Sequence, residues 1–395
     1  MLFIGALNIW PGATVARVKR LTGDSLAGKY PGLLLTMRSL RYIKEIGRTA
    51  REEMRGLFPS VPRFDCIPPD FVCIGITDAC MLKCKMCQKW KEDIFIKDKI
   101  AQPSISDWKR AISSLRKLGE NSLQINFGGG EPLLKKEIFE LVSFCRQNRF
   151  KTNIATNGYL INEEMAKRIA DSGLDSVIIS LDSLCEVTHD YLRGKKGTYR
   201  QVMNALELLD KYCDGLYKGI CCVIYQKNME DILGLEAWVE NDSRLNSVYF
   251  MAAMQPNNTS PEPKWYDKEE FRELWPKDPV SVNRIINELV KIKRGKSKIA
   301  NQISQLEAFK LYYQYPARFV KASQCNMDAA LHFSSSGDIF LCYRWRVLGN
   351  VKTDDVALVW NSRKAKEARQ DITGCKDNCH FLLNCFFKEE YPFKI

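Results

Sequence analysis

Histidine is scarce in this chain: His189, His332 and His380 are the only three in 395 residues. None lies within the first run of cysteines, so a zinc knuckle of paired Cys and His has no second half there. A long apolar run is lacking as well. Met1 to Trp10 is apolar, but it has no basic leader, ends at Pro11-Gly12 and is too short to cross a bilayer. The cysteine count of 15 is odd. With no secretory leader in view, a disulfide framework is a poor fit, and the expected compartment is a reducing cytoplasm where thiols serve metals or catalysis. The net charge is +12, yet no DNA-binding or RNA-binding motif accompanies it. A nucleic-acid partner is not expected.

At 45% hydrophobic and 27% charged, the composition is that of a folded protein, and the length suits two domains and an extra segment. Residues 1–65 form the first segment, with 11 Lys/Arg against five Asp/Glu for a net +6. Arg38, Arg41, Lys44, Arg48, Arg51 and Arg55 recur at helical spacing, and Leu35, Ile43, Ile46, Ala50, Met54 and Leu57 fall on the opposite face. This basic amphipathic helix has two readings. It covers part of the core with its charges in water, or it rests peripherally on an anionic membrane surface.

From residue 66 to 255 strand-like and helix-like stretches alternate. Strands are expected at Phe71–Thr77, Ser122–Phe127, Lys151–Thr156, Ser176–Ser180, Gly219–Tyr225 and Ser247–Met251. Helices are expected between them, for example at Ser106–Leu118, Lys135–Asn148, Glu163–Ser172, Tyr199–Cys213 and Met229–Val239. Six such units predict an α/β fold, a partial (β/α)6 TIM-like barrel, whose functional loops follow the strand ends.

The informative motifs sit there. Cys80, Cys84 and Cys87, spaced Cys-x3-Cys-x2-Cys, follow the first strand. Three thiolates can hold three irons of a cubane cluster and leave the fourth iron open. Gly128-Gly129-Gly130-Glu131-Pro132 follows the second strand, Thr156-Asn157-Gly158 the third, and Ser180-Leu181-Asp182 the fourth, with His189 and Arg193 downstream. Together these resemble the radical S-adenosylmethionine (SAM) enzymes. Met86 stands where that family usually has an aromatic residue. The resemblance implies a [4Fe-4S] cluster on Cys80, Cys84 and Cys87 with SAM on the open iron. It implies SAM contacts at Gly129, Gly130, Glu131 and Asn157, ribose contacts at Ser180 and Asp182, and a carboxylate clamp at Arg193.

Residues 256–324 read as a Pro- and Asn-rich linker followed by helices near Pro279–Lys293 and Ile303–Tyr313. Cysteines return in residues 325–395: Cys325, Cys342, Cys375, Cys379 and Cys385. Gly337, the run Leu348-Gly349-Asn350-Val351 and a polar helix at Asn361–Gln370 accompany them. This region is similar to the SPASM or twitch extension of radical SAM enzymes. A full SPASM domain has seven cysteines for two clusters, so five imply one auxiliary [4Fe-4S] cluster. Cys325 and Cys342 are the expected ligands, with two of Cys375, Cys379 and Cys385. Zinc is the alternative metal for these thiolates. Cys66, Cys73, Cys145, Cys185, Cys213, Cys221 and Cys222 are given no chemistry.

The resemblance further implies a flavodoxin- or ferredoxin-type electron donor, cleavage of SAM to a 5′-deoxyadenosyl radical, and hydrogen abstraction from a substrate. An Asp that serves some relatives as a base has Tyr343 in its place here, so no catalytic base is named. Three functions stay open: oxidation or cross-linking of a peptide or protein, modification of a sugar, lipid or other small molecule, and a non-catalytic iron–sulfur electron-transfer or scaffold role.

Overall fold

The computed structural model describes residues 68–91, 102–119, 123–256, 262, 264–317, 325, 327–344, 346–375 and 381–385. The basic helix expected within residues 1–65 lies outside them, and so does Cys379.

Within this part the alternation predicted from the sequence builds one sheet. Strand β1 (Phe71–Thr77) leads to helix α1 (Ile105–Leu115), β2 (Gln124–Gly129), α2 (Ile138–Gln147), β3 (Lys151–Thr156) and α3 (Glu163–Ser172). Then come β4 (Ser176–Ser180), α4 (Glu186–Arg193), α5 (Thr198–Tyr212), β5 (Tyr217–Ile224), α6 (Ile232–Asn241) and β6 (Ser247–Ala252). Strands β1 to β6 are parallel and neighbour one another in chain order, so every crossover runs in one direction and the sheet curls without closing. All seven residues of β1 and all six of β6 are buried. Strands covered on both faces read as near-continuous apolar runs, which is why their bounds were legible.

Local signals end the elements where the sheet needs them to end. Ser104 caps α1 with a full capping box to Asp107, an arrangement worth about 1 kcal/mol. Asn162 caps α3, and Gly173 closes it in the left-handed conformation.

The carboxyl-terminal part adds α7 (Pro279–Arg294), α8 (Ile303–Gln314), β7 (Ala330–Phe333), β8 (Asp338–Phe340), β9 (Gly349–Asn350), α9 (Val356–Asn361), α10 (Arg363–Thr373) and α11 (Phe381–Asn384). Strand β7 pairs in parallel with the free edge of β1, Phe71 opposite Ala330 and Ile74 opposite Phe333. Strands β8 and β9 continue antiparallel, and the nine-stranded order is β6-β5-β4-β3-β2-β1-β7-β8-β9. The cysteine-rich region therefore shares the barrel sheet, a continuity that the sequence reading did not anticipate. No described helix is long and apolar enough to cross a membrane.

Candidate active site

The loop after β1 carries Cys80, Cys84 and Cys87. It is fixed from several sides. Lys85 N–H donates to Leu192 O at 2.9 Å, and Cys87 N–H to Cys84 O at 3.1 Å. Trp90 Nε1–H donates to Cys84 O at 3.2 Å. Asp78, at the start of the loop, holds Lys89 in an ion pair and accepts from Ser335 Oγ at 2.6 Å. Ser335 lies between β7 and β8, so the cysteine loop is tied directly to the carboxyl-terminal strands.

Burial pushes the Cys84 thiol up to about 11; Arg193 pulls it down, and Cys80 and Cys87 push it further up. The three sulfurs therefore lie within electrostatic reach of one another. Among the described residues no three His, Cys, Asp or Glu side chains converge on a single-ion site. A cubane cluster takes one thiolate per iron, so its ligands stand around it rather than meet at one point.

The Gly-Gly-Glu-Pro turn packs onto this loop. Gly130 N–H donates to Thr77 O at 2.6 Å and Glu131 N–H to Ala79 O at 2.8 Å. A Cβ on Gly130 would come within 2.6 Å of Asp78 O and closer still to Ala79 O. Gly129, at φ +119°, would drive one into the Thr77 carbonyl. These two glycines let two stretches of backbone approach each other, a requirement of the fold that exists before any ligand.

Glu131 is fully buried. Its Oε1 accepts from Leu133 N–H at 3.1 Å and Thr156 Oγ1 at 2.8 Å, and its Oε2 from Asn157 N–H at 2.9 Å. A carboxylate has about four lone-pair positions, so one on Oε2 stays available for a cation. Burial raises Glu131 to about 7, so a neighbouring ammonium would favour its charged form. Asn157 extends Nδ2 toward Cys80 Sγ at 3.8 Å and Met81 Sδ at 3.5 Å.

Asp182 and Arg193 form a buried ion pair at 2.8 Å. Asp182 Oδ1 also accepts from Val223 N–H at 3.1 Å, and its backbone N–H donates to His189 Nδ1 at 3.2 Å. Asn228 Nδ2 donates to Asp182 O at 2.6 Å and to Val223 O at 2.8 Å. The carboxylate expected on a ribose is thus engaged by Arg193 and β5, which makes Asp182 the anchor of the guanidinium.

Among the described residues, four buried polar atoms here have no hydrogen-bond partner: Ser180 Oγ, Arg193 Nε, His189 Nε2 and Tyr225 Oη. Each would cost about 1–3 kcal/mol if left unsatisfied. Such a set beside a cysteine loop fits a polar ligand of several functional groups, as SAM is. Tyr225 escaped the sequence reading. It follows β5, and its phenol feels Asp182, Arg193 and Cys84, but a lone Tyr at a strand end carries no motif.

In the carboxyl-terminal part, Cys342 follows β8, Cys375 follows α10, Cys385 follows α11 and Cys325 precedes β7. Asn384 pins the last of these turns to β6, with Oδ1 accepting from Ala252 N–H and Nδ2 donating to Ala252 O, both at 2.8 Å. Gln305 Nε2 donates to Leu383 O at 2.7 Å. Tyr343 packs on His332 and Phe340, and both Cys342 and Cys385 act on its phenol. The fold thereby brings Cys342 and Cys385 to the same neighbourhood.

Residues 74–239 match the family model described as the Radical SAM superfamily, and residues 325–385 match SPASM, an iron–sulfur cluster-binding domain. The chain is 34% identical over 158 residues to Fe-coproporphyrin III synthase of Methanosarcina barkeri, covering 40% of this chain and 38% of that protein. It is 27% identical over 165 residues to the PqqA peptide cyclase of Granulibacter bethesdensis, covering 42% of each. The chain therefore spans about two fifths of the length of these curated relatives. Its fold is similar to that of Streptococcus suis SuiB bound to precursor peptide SuiA, with a TM-score of 0.58 at 15% identity over 95% of this chain and 83% of the other. The motif loops stand in order at the strand ends within residues 74–239: the chain carries a radical SAM domain there and a SPASM iron–sulfur domain at residues 325–385.

Proposed function

We propose that this protein takes a hydrogen atom from a peptide or protein substrate and so oxidises or cross-links it. When bound, a [4Fe-4S] cluster and SAM together supply the 5′-deoxyadenosyl radical that such a step requires. Cys80, Cys84 and Cys87 would hold the cluster. Because burial keeps Cys84 protonated in its absence, loading iron displaces protons from the loop. Glu131 Oε2 would accept from the amino group of SAM. Arg193 Nε offers a donor to its carboxylate, with the guanidinium held in place by Asp182. Ser180 Oγ offers a bond to a further oxygen, while Gly129, Gly130 and Asn157 form the wall that joins Glu131 to the cysteine loop. Cys325 and Cys342, with two of Cys375, Cys379 and Cys385, would hold one auxiliary cluster, which can take the electron left by substrate oxidation. A flavodoxin- or ferredoxin-type protein would reduce the first cluster.

The observation that carries this reading is the set of buried atoms without a partner among the described residues, Ser180 Oγ and Arg193 Nε foremost, beside the loop of Cys80, Cys84 and Cys87. The peptide class is supported by the PqqA peptide cyclase relative and by the fold shared with SuiB. A second reading, a tetrapyrrole-like small molecule as substrate, is favoured by the 34% identity to Fe-coproporphyrin III synthase.

The test is anaerobic reconstitution with iron and sulfide, dithionite reduction and an assay for 5′-deoxyadenosine beside metal analysis. Wild type should form the nucleoside, and Cys84→Ala should not. Zinc in place of iron, or a reduced cluster with bound SAM and no nucleoside even with candidate substrates, would sink the proposal. Peptides and iron porphyrins offered in parallel separate the two substrate classes by which one changes mass.

A further inference from the structure

Strand β6 is terminal in the sheet order, and its outer edge is covered by other means. Every second residue of a strand turns both its N–H and its C=O to the same edge. Along this edge those residues are Val248, Phe250 and Ala252. Val248 N–H donates to Lys298 O at 2.9 Å, and Val248 O accepts from Ala300 N–H at 2.8 Å. Phe250 N–H donates to Asn301 Oδ1, and Phe250 O accepts from Asn301 Nδ2, both at 2.8 Å. Ala252 makes the same pair of bonds, at the same length, with Asn384. Two side-chain amides thus continue the ladder that the backbone begins.

Gln305, in the first turn of α8, joins the two amides. Its Oε1 accepts from Asn301 Nδ2 at 2.9 Å, and its Nε2 donates to Tyr249 Oη at 2.5 Å and to Leu383 O at 2.7 Å. Tyr249 Oη in turn donates to Asn384 O. All four side chains are buried. Helix α11 has only four residues, too few to hold its own shape. It is fixed from outside, by Asn384 on Ala252, by Tyr249 on Asn384 O and by Gln305 on Leu383 O. Cys385 is the next residue, so its place depends on Gln305 and β6. Ser180, Cys221 and Tyr249 are register partners on β4, β5 and β6. Their side chains therefore stand on one face of the sheet, spread over about 10 Å. Cys221 and Cys385 both act on the Tyr249 phenol.

We propose that Gln305 is a positioning residue for the auxiliary cluster: through Leu383 and Tyr249 it fixes Cys385, as a ligand, relative to the sheet face that carries Ser180. This rests on the auxiliary-cluster reading above. Cys385 is then one of the two thiolates drawn from Cys375, Cys379 and Cys385. Gln305 acts through Cys385 and not on the reacting atoms. A Leu at this position would fill much the same volume, but Leu383 O, Tyr249 Oη and Asn301 Nδ2 would each lose a partner in a buried place. Such groups must then shift to find another, and Cys385 shifts with them.

The experiment introduces Gln305→Leu, Tyr249→Phe and Leu209→Ala, one at a time, into the full chain carrying Cys84→Ala, so that the auxiliary cluster is observed by itself. Tyr249→Phe is the milder network variant, since it removes one hydroxyl and keeps the ring. Leu209→Ala opens a cavity under α5, outside the network, and serves as the control for lost stability. Two quantities are read: the electron paramagnetic resonance of the reduced cluster, and the rate at which a chelator removes its iron. Gln305→Leu should alter the g-values and speed iron loss roughly tenfold. Tyr249→Phe should change both in the same direction by less. Leu209→Ala should leave the spectrum as in the Cys84→Ala parent and iron loss within about twofold. Unchanged readings in both network variants, or an equal change in Leu209→Ala, would overturn the inference. Should Gln305→Leu fail to fold, Tyr249→Phe decides by the same two readings. A parent that holds zinc or no metal sinks the auxiliary-cluster reading and the inference with it, and shows this before any network variant is compared.

Discussion

Arg193 and Asp182 face each other at 2.8 Å in a region closed to solvent, the Arg at the last position of α4 and the Asp just past β4. The guanidinium stays charged at any working pH, and the carboxylate that balances it is itself held by Val223 N–H. Charge and orientation of the Arg are therefore settled before a ligand arrives.

Removing one partner strands the other. Asp182→Asn should destabilise the fold by about 3–5 kcal/mol, the usual cost of an unpaired buried charge. It should also weaken SAM binding, whereas Ser180→Ala should weaken binding with little loss of stability. Urea unfolding and equilibrium dialysis with SAM measure the two effects separately.

The glycine turn supplies a contrast between neighbours. Gly130→Ala would push a Cβ into the backbone of Asp78 and Ala79, so it should displace the cysteine loop and lower bound iron along with the melting temperature. Gly128→Ala meets nothing within 4 Å and should fold and load iron as wild type does. Iron content and thermal unfolding of the two proteins decide the matter. Equal behaviour would refute the packing role assigned to Gly130.

The two groups of cysteines should empty independently. Cys84→Ala and Cys342→Ala should each fall from about eight to about four irons per chain. Cys84→Ala should abolish nucleoside formation. Cys342→Ala should keep SAM cleavage and lose product. Iron analysis with electron paramagnetic resonance reports which cluster remains.

His332 is buried against Phe71, Phe340 and Tyr343, with Nδ1 at 2.9 Å from Leu341 O. Burial lowers it to about 3 from the ordinary 6.5. Between those values the unfolded chain binds the proton and the folded chain does not. Stability should thus be complete above about pH 6.5 and fall as pH drops toward 3. His332→Gln should flatten that part of the profile. Urea midpoints at pH 7.5 and pH 5 for both proteins test it; parallel losses would discharge His332 from the role.

The bounds of β1, β4 and α3 were legible from apolar runs and caps, because covered strands and capped helices leave dense local signals. Strands β7, β8 and β9 were not. At four, three and two residues they are too short for alternation to register. The motif loops were legible because each places several unusual residues together. Two kinds of feature were not. Tyr225 and Asn228 act through position alone, and the engagement of Asp182 with Arg193 depends on how β4 and α4 meet. Gly129 and Gly130 were read as permitting a ligand, and the structure adds the nearer cause, backbone against backbone.

Strand β1 occupies residues 71–77, yet its outer neighbour begins at Ala330. On a ribosome, its edge must wait until residues 330–333 have been made. During that interval the loop with Cys80, Cys84 and Cys87 lacks Ser335, which secures Asp78. Pairing between such distant segments is slow, and an open strand edge invites association with other chains. The contact that secures the loop of Cys80, Cys84 and Cys87 therefore joins segments more than 250 residues apart and forms only once Ser335 has been made.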